Sequence, residues 1–370
     1  MTDAAFPRPT RLIVDTSAIV ANRRRILAET RGVPAAGVIK ADAYGTGAAE
    51  AARALAADGC TTFFVAHVGE GVAVRAALGE APARIFVLNG LLPGTETTLA
   101  EHRLFPVLGS MPEIEDWAAF GRARGGALPS AVHVDTGMNR HGLSLDEARS
   151  FAARGDLVEA SGAVLVMSHL ACADEPEHPL NAEQLARFRS IRPLFPGLEA
   201  SLANSAGVFL SPDYHFDLVR PGVALYGGAI RSGEASPMRP VVTLEATILQ
   251  IRDVPTGESV GYGARRTTTR PTRLAVLSVG YADGFHRTAS SSDAGGGGRG
   301  FLHGCSVPIF GRISMDLLVV DVTDVGRAAR GDRVELIGPN VTLQEVAGAM
   351  GTIDYEVLTS LGRRYERARA

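Results

Sequence analysis

The sequence predicts an α/β protein in two parts: a TIM-type (β/α)8 barrel over residues 1–237, then a mostly-β C-terminal domain over residues 238–370. Three observations carry this expectation. Short apolar runs alternate with amphipathic, alanine- and arginine-rich segments from about residue 11 to 230, the pattern of repeated βα units. Beyond residue 238 the pattern changes to strand-like runs separated by Gly, Pro and Asp turns. A length of 370 residues suits one large barrel plus a further module.

Eight runs qualify as barrel strands: GVIKA (37–41), TFFVAH (62–67), RIFVLN (84–89), LFPVL (104–108), AVHVDT (131–136), AVLVMSH (163–169), EASLAN (199–204) and DLVRPG (217–222). Helical patterns separate them, among them ANRRRILAETR, AAEAARALAADG, EGVAVRAALG, MPEIEDWAAFGRARG, SLDEARSFAARG and NAEQLARFRSIRPLF. Periodicity alone fits a doubly wound open sheet as well as a barrel. In the second part, VVTLEATILQIRDV, TRLAVLSVGYADG, GCSVPIFGRISMDLLVVDVTDV and GDRVELIG read as strands. The stretch ASSSDAGGGGRG (289–300) is of low complexity and is expected to lack fixed structure.

The net charge of −3, with both signs interspersed, argues against nucleic-acid binding and against a polybasic membrane patch. Cys60, Cys172 and Cys305 lie far apart without C-x-x-C spacing, so they read as free thiols in a reducing compartment, and no metal is expected. The N-terminus lacks the basic and apolar regions of a signal peptide, and no apolar run nears the roughly 18 residues of a spanning helix, so a soluble, cytoplasmic protein is expected.

Of 37 basic residues a single one, Lys40, is lysine. Arginine serves as a surface cation everywhere else, whereas a primary amine can lose its proton when desolvated and act as a nucleophile or base. Schiff-base chemistry is the leading use, and chance on a loop is the plain alternative. Active sites of barrels lie at the C-terminal strand ends. Lys40, His169, Asn204, Ser205 and Arg220 are expected there. The glycine-rich ADAYGTGA and RPGVALYGG, following Lys40 and Arg220, could offer backbone N–H groups to a phosphate. A lysine beside phosphate-suited loops suggests pyridoxal phosphate. Tyr262 and Tyr281, each among small residues, have packed turns as their local reading.

Nine motifs in order, VIKADAYGTGA, HVDTGMNRHGL, SHLACADE, LANSAG, VRPGVALYGG, GYGA, VGYADG, GRISMD and TIDYEVLTSLGRR, resemble the alanine racemases, and the resemblance spans essentially the whole chain. It implies interconversion of L- and D-alanine by a two-base mechanism, a supply of D-alanine for peptidoglycan, and a homodimer whose active sites are shared between subunits. Lys40 would carry pyridoxal phosphate covalently and act as the base on the D-face. Tyr262, from the partner subunit, would be the base on the L-face. Inversion of a stereocentre needs a proton removed from one face and another delivered to the opposite one.

The resemblance also implies that Arg220 meets the pyridine nitrogen and, being charged, keeps it unprotonated. His169 would sit beside the ring and help link Arg220 to Tyr262. Tyr44, Ser205, Gly222, Val223 and Tyr355 match positions that hold the phosphate. Arg140 matches an arginine near the cofactor hydroxyl and the substrate carboxylate, and Met315 would offer its N–H to that carboxylate from the other subunit. Tyr281 and Asp316 resemble residues of a narrow access channel.

Two positions depart from the family pattern. His133 stands where many relatives have a carbamylated lysine, so either this histidine or a bound anion such as chloride would support Arg140. Ser201 stands where a histidine often lies behind the pyridine-facing arginine. Two rival classes fit less well: a non-catalytic pyridoxal phosphate carrier resembles the barrel part only, and barrel-type decarboxylases set a carboxylate where Arg220 stands. A pocket bounded by Tyr262, Tyr281 and Met315 would favour alanine, with serine a poor second, because one small group is worth only ~1–3 kcal/mol.

Overall fold

The structure is a computed structural model and describes residues 8–370. The chain divides into two compact units. One comprises Ile19–Leu225 and Ala229–Pro237; the other comprises the chain up to Ala18, Tyr226–Gly228 and Met238–Ala370. The first strand, β1 (Thr10–Val14), therefore belongs to the second unit, not to the barrel in which the single expected boundary at 237/238 would place it.

The first unit is built on a parallel sheet in the order β2 (Gly37–Val38), β3 (Thr62–Val65), β4 (Arg84–Val87), β5 (Leu104–Leu108), β6 (Ser130–His133), β7 (Ala163–Met167) and β8 (Glu199–Ser201). The run expected as an eighth strand, 217–222, forms only an isolated parallel bridge from Val219 to Ala35. It nevertheless closes the ring: Arg220 N donates to Ala203 O at 2.9 Å on one side, and Ala36 N donates to Val219 O at 2.9 Å on the other. Pro221 and Pro34 lack an N–H, which keeps the ladder from growing into a regular strand. The barrel is thus of the (β/α)8 type, with its last position irregular.

Burial on both faces explains the continuous apolar reading of the strands. All four residues of β3 and β6 are buried, and Phe64 stacks on Phe86 at 5.0 Å between ring centroids. Helices start where the sequence caps them. Ser110 accepts from Glu113 N ahead of Met111–Ala123, and Ser144 with Glu147 forms a capping box at Leu145–Ala152.

The strand expected over 37–41 stops at Val38. Ala41, Asp42, Ala43 and Tyr44 instead run in the left-handed helical region, with φ between 52° and 55°. Local bonds close this turn: Ala43 N donates to Ile39 O, Gly45 N to Ala41 O, and Ala48 N to the Asp42 carboxylate at 2.7 Å.

The second unit is mostly β. Its main sheet carries β9 (Val242–Val254), β13 (Arg299–Leu302), β14 (Cys305–Pro308), β16 (Arg333–Ile337) and β17 (Glu366–Arg369) in the order β14-β13-β16-β9-β1-β17. β12 (Thr272–Leu277) pairs with β9 and with β15 (Leu318–Asp321), and β10 (Ser259–Val260) pairs with β11 (Arg266–Thr267). β1 fits between β9 and β17, antiparallel to one and parallel to the other, with Leu12 opposite both Leu244 and Arg367.

The segment 289–300 is ordered, contrary to expectation. Ser291 is buried, donates to Ile309 O at 2.8 Å and accepts from Gly311 N at 2.9 Å, while Asp293 accepts from Thr267 N at 2.9 Å. Its glycines are conformational necessities: Gly297 has φ of 104°, and a Cβ there would stand 2.6 Å from that of Ser291. Among the described residues no helix is long and apolar enough to cross a membrane.

Candidate active site

The C-terminal end of the barrel sheet gathers the chemistry of the first unit. Lys40 lies two residues beyond β2 and is half-buried. Burial lowers its amine pKa, the Arg140 guanidinium lowers it further, and the Glu70 carboxylate raises it. The amine is therefore closer to its neutral, nucleophilic form than an exposed lysine would be.

Arg220 follows the bridging Val219 and is buried. Its guanidinium donates to Ser201 Oγ and to Ser168 O, and lies 3.4 Å from His169 Nδ1. Burial brings its pKa down to about 9, so it stays charged at neutral pH. Ser201 also donates to Leu218 O at 2.5 Å. A serine thus completes, through the backbone, the link behind Arg220.

His169, just past β7, is pushed well below the ordinary histidine pKa by burial and then by Arg220, Arg140, His133 and Lys40. It is neutral at pH 7, so Arg220 meets an uncharged ring. His133, the last residue of β6, is buried and held down to about 3 by burial, Arg220 and His141, with Asp135 opposing. It contributes no charge toward Arg140, which is exposed on the following segment.

The remaining barrel residues form a cradle around Gly222. A Cβ on Gly222 would stand 2.2 Å from the phenolic oxygen of Tyr44, so only glycine lets that hydroxyl approach the backbone. Ser205 Oγ accepts from Gly222 N at 2.8 Å and from Ala224 N at 3.2 Å, which fixes the Gly222–Val223 turn. Two hydroxyls and a tight backbone turn, with Lys40, Arg140 and Arg220 in the same unit, make a site of neutral donors in a positive field. That chemistry fits a phosphorylated carbonyl cofactor attached to the amine. Among the described residues no cluster of three or more His, Cys, Asp or Glu could hold a metal ion.

In the second unit Tyr262, Tyr281, Met315, Asp316 and Tyr355 lie at the surface. Tyr262 is 69 % exposed and Met315 54 %. Gly280 brings two of these loops together: a Cβ there would stand 2.3 Å from Met315 O, and Tyr281 N donates to Ser314 O at 3.1 Å. Asp316 is held by Arg364 at 2.8 Å, and Arg364 also reaches Asp283. Tyr262 follows Gly261, at φ 75°, where a Cβ would meet only the backbone of Arg312.

Sequence reasoning overlooked several supporting groups. Glu70 binds the amide of Ala41 at 2.8 Å, Gln184 donates to His169 O at 2.8 Å, and Ser168 shares a 2.7 Å bond with Thr136. Glu70 had a visible signal, standing three residues into a helix, but a capping position says nothing about its second oxygen.

Two family profiles match the chain: "Alanine racemase, N-terminal domain" over residues 14–230 and "Alanine racemase, C-terminal domain" over residues 241–369. The alanine racemase of a Methylobacterium species is 52 % identical over 99 % of this chain and 99 % of its own. Among solved structures, the alanine racemase of Bartonella henselae with covalently bound pyridoxal phosphate superposes with a TM-score of 0.92 at 39 % identity, covering 98 % of this chain and 100 % of that one. The biosynthetic alanine racemase of Pseudomonas aeruginosa gives 0.89 at 38 % identity, with the same coverage. With both profiles matched and the similarity running end to end, the chain belongs to the alanine racemase family.

Proposed function

We propose that this protein is a pyridoxal phosphate-dependent alanine racemase that interconverts L- and D-alanine with two bases, one of them from a partner subunit. The observation that carries the reading is the lone lysine: a half-buried amine with lowered pKa at a barrel strand end, in the same unit as the Tyr44–Gly222 cradle and the Arg220–His169 pair.

Pyridoxal phosphate, when bound, supplies an electron-withdrawing ring that acidifies the Cα–H of the attached amino acid. Lys40 would hold it, with Tyr44, Ser205, Gly222, Val223 and Tyr355 around the phosphate and His169 beside the ring. Arg220 would meet the pyridine nitrogen. A guanidinium is a weaker acid than a pyridinium, so it would donate a hydrogen bond to that nitrogen without giving up its proton, which limits electron withdrawal and favours return of the proton to Cα over side reactions.

Proton traffic then belongs to two side chains. Lys40 takes or returns the Cα proton on the D-face, a role that burial and the Arg140 guanidinium assist by lowering its pKa. Tyr262 does so on the L-face, in the site of a second copy. The exposure of Tyr262, Tyr281 and Met315 supports their meeting a partner's site rather than a core. Arg140 and the Met315 N–H would orient the substrate carboxylate, and Tyr281 with Asp316 would line the approach. We place the homodimer in the cytoplasm, where its D-alanine would enter peptidoglycan synthesis. L- and D-alanine are equal in free energy in water, so supply and consumption set the direction of net flux.

The test is direct. The purified protein is expected to be yellow and to racemise alanine, with serine turned over poorly. Borohydride is expected to fix the chromophore on the peptide containing Lys40. A Lys40→Arg protein that still racemises alanine at the wild-type rate would sink this reading.

A further inference from the structure

The helix Val68–Leu78 opens with a capping box in which Glu70 Oε2 accepts from His67 N at 3.2 Å. A capping glutamate needs no more than that. Here Oε2 also accepts from Ala66 N at 2.7 Å, at the end of β3, and Oε1 reaches out of the helix to accept from Ala41 N at 2.8 Å. Ala41 directly follows Lys40 and opens the left-handed run that ends at Tyr44.

Left-handed L-residues are disfavoured by about 1–2 kcal/mol each, so four in succession persist only where the surroundings over-determine them. The bonds from Ala43, Gly45 and Ala48 close the turn upon itself. Glu70 ties the first left-handed residue to a different βα unit. Three charged or titratable groups from other elements face the amine: Arg140 after β6, His169 after β7, and Glu70 after β3. Glu70 is the anion of the three.

We propose that Glu70 is a positioning residue for Lys40: one carboxylate locks the left-handed turn to the end of β3, presenting the amine from a fixed place with a negative charge beside it. This rests on Lys40 being the cofactor lysine, but the amine can be followed whether or not racemisation is.

The lone lysine makes the test clean. Full-length protein freed of cofactor and reductively methylated with 13C-formaldehyde carries one labelled side-chain amine, whose titration is read by NMR. Glu70→Gln is expected to shift the midpoint to lower pH, since an opposing anion is removed, and Glu70→Asp to bring it partway back. In the holoenzyme, hydroxylamine is expected to strip the chromophore from Glu70→Gln faster than from wild type. If Glu70→Gln does not fold, the shorter Glu70→Asp is read instead, with faster stripping expected. An unmoved midpoint with unchanged stripping, accompanied only by a lower melting temperature, makes Glu70 a helix cap and overturns the proposal. A shifted midpoint in a protein that proves not to racemise alanine supports it and overturns the proposed function instead.

Discussion

At Gly222 the difference between a hydrogen and a methyl decides whether the Tyr44 hydroxyl can stand where it does, because a Cβ would come within 2.2 Å of it. Gly222→Ala is expected to displace the phenol and weaken cofactor binding by about tenfold, within the ~1–3 kcal/mol of overpacking a rigid site. Titrating the chromophore against added pyridoxal phosphate measures this, and an unchanged affinity would contradict the cradle. His133 makes a second residue-scale expectation. Its folded pKa of about 3 lies below the ordinary histidine value of 6.5, so between these values the unfolded chain binds a proton that the folded chain refuses. Stability therefore rises with pH across that window and is lost as pH falls from 6.5 toward 3. His133→Gln is expected to flatten the acid limb of the melting temperature against pH, while an unaltered limb would mean that the ring is not held neutral. Lys40 and Arg220 stand out in the sequence by residue type and strand-end position, and Tyr44 only through the family resemblance; the neutrality of His133 and His169 does not show there, since it comes from burial among cations that the chain brings together from distant strands.

Among the elements, the segment after Lys40 shows how a run of ordinary residues can be folded into an uncommon shape. The sequence reads as a strand to residue 41 followed by the glycine-rich loop ADAYGTGA, yet all four residues of ADAY sit at φ of 52–55°. Ala41 is exposed there, so Ala41→Gly removes a steric penalty without opening a cavity. The change is expected to stabilise the protein by about 1 kcal/mol, the left-handed penalty less the extra entropy of glycine. Ala41→Val is expected to destabilise it, and thermal melts of the pair would show both signs. The glycine-rich 289–300 segment teaches the converse: low complexity suggested flexibility, while Gly295, Gly296 and Gly297 all have positive φ within an ordered turn anchored by Ser291. Composition counts glycines; tertiary packing decides whether each one is free or required.

If Lys40 and Tyr262 act in one site from two subunits, Lys40→Arg and Tyr262→Phe are each inactive as homodimers but complement one another. A heterodimer of the two has one site with both defects and one with neither. Equal mixtures dissociated and reassociated are expected to recover roughly a quarter of wild-type activity, the random-pairing value for a two-fold dimer. Recovery of none would place both residues in a site made by one chain. The N-terminal strand adds a second feature at this scale: β1 is read first in the chain but completes the sheet of the second unit, between β9 and β17. Sequence order assigned it to the barrel because strand pairing across more than 200 residues leaves no local signal.

By itself, the sequence determined the barrel of βα units, the change to β structure near residue 238 and the amine at position 40. Each depends on properties local to the chain: hydrophobic period, turn residues, and the lone lysine among 36 arginines. The tertiary structure decided what proximity controls. It closed the barrel through an irregular bridge at Val219, turned Ala41–Tyr44 left-handed, and set the carboxylate of Glu70 against the amide after Lys40. Burial and charge act across space rather than along the chain, so the state of the lysine proton was written in the fold.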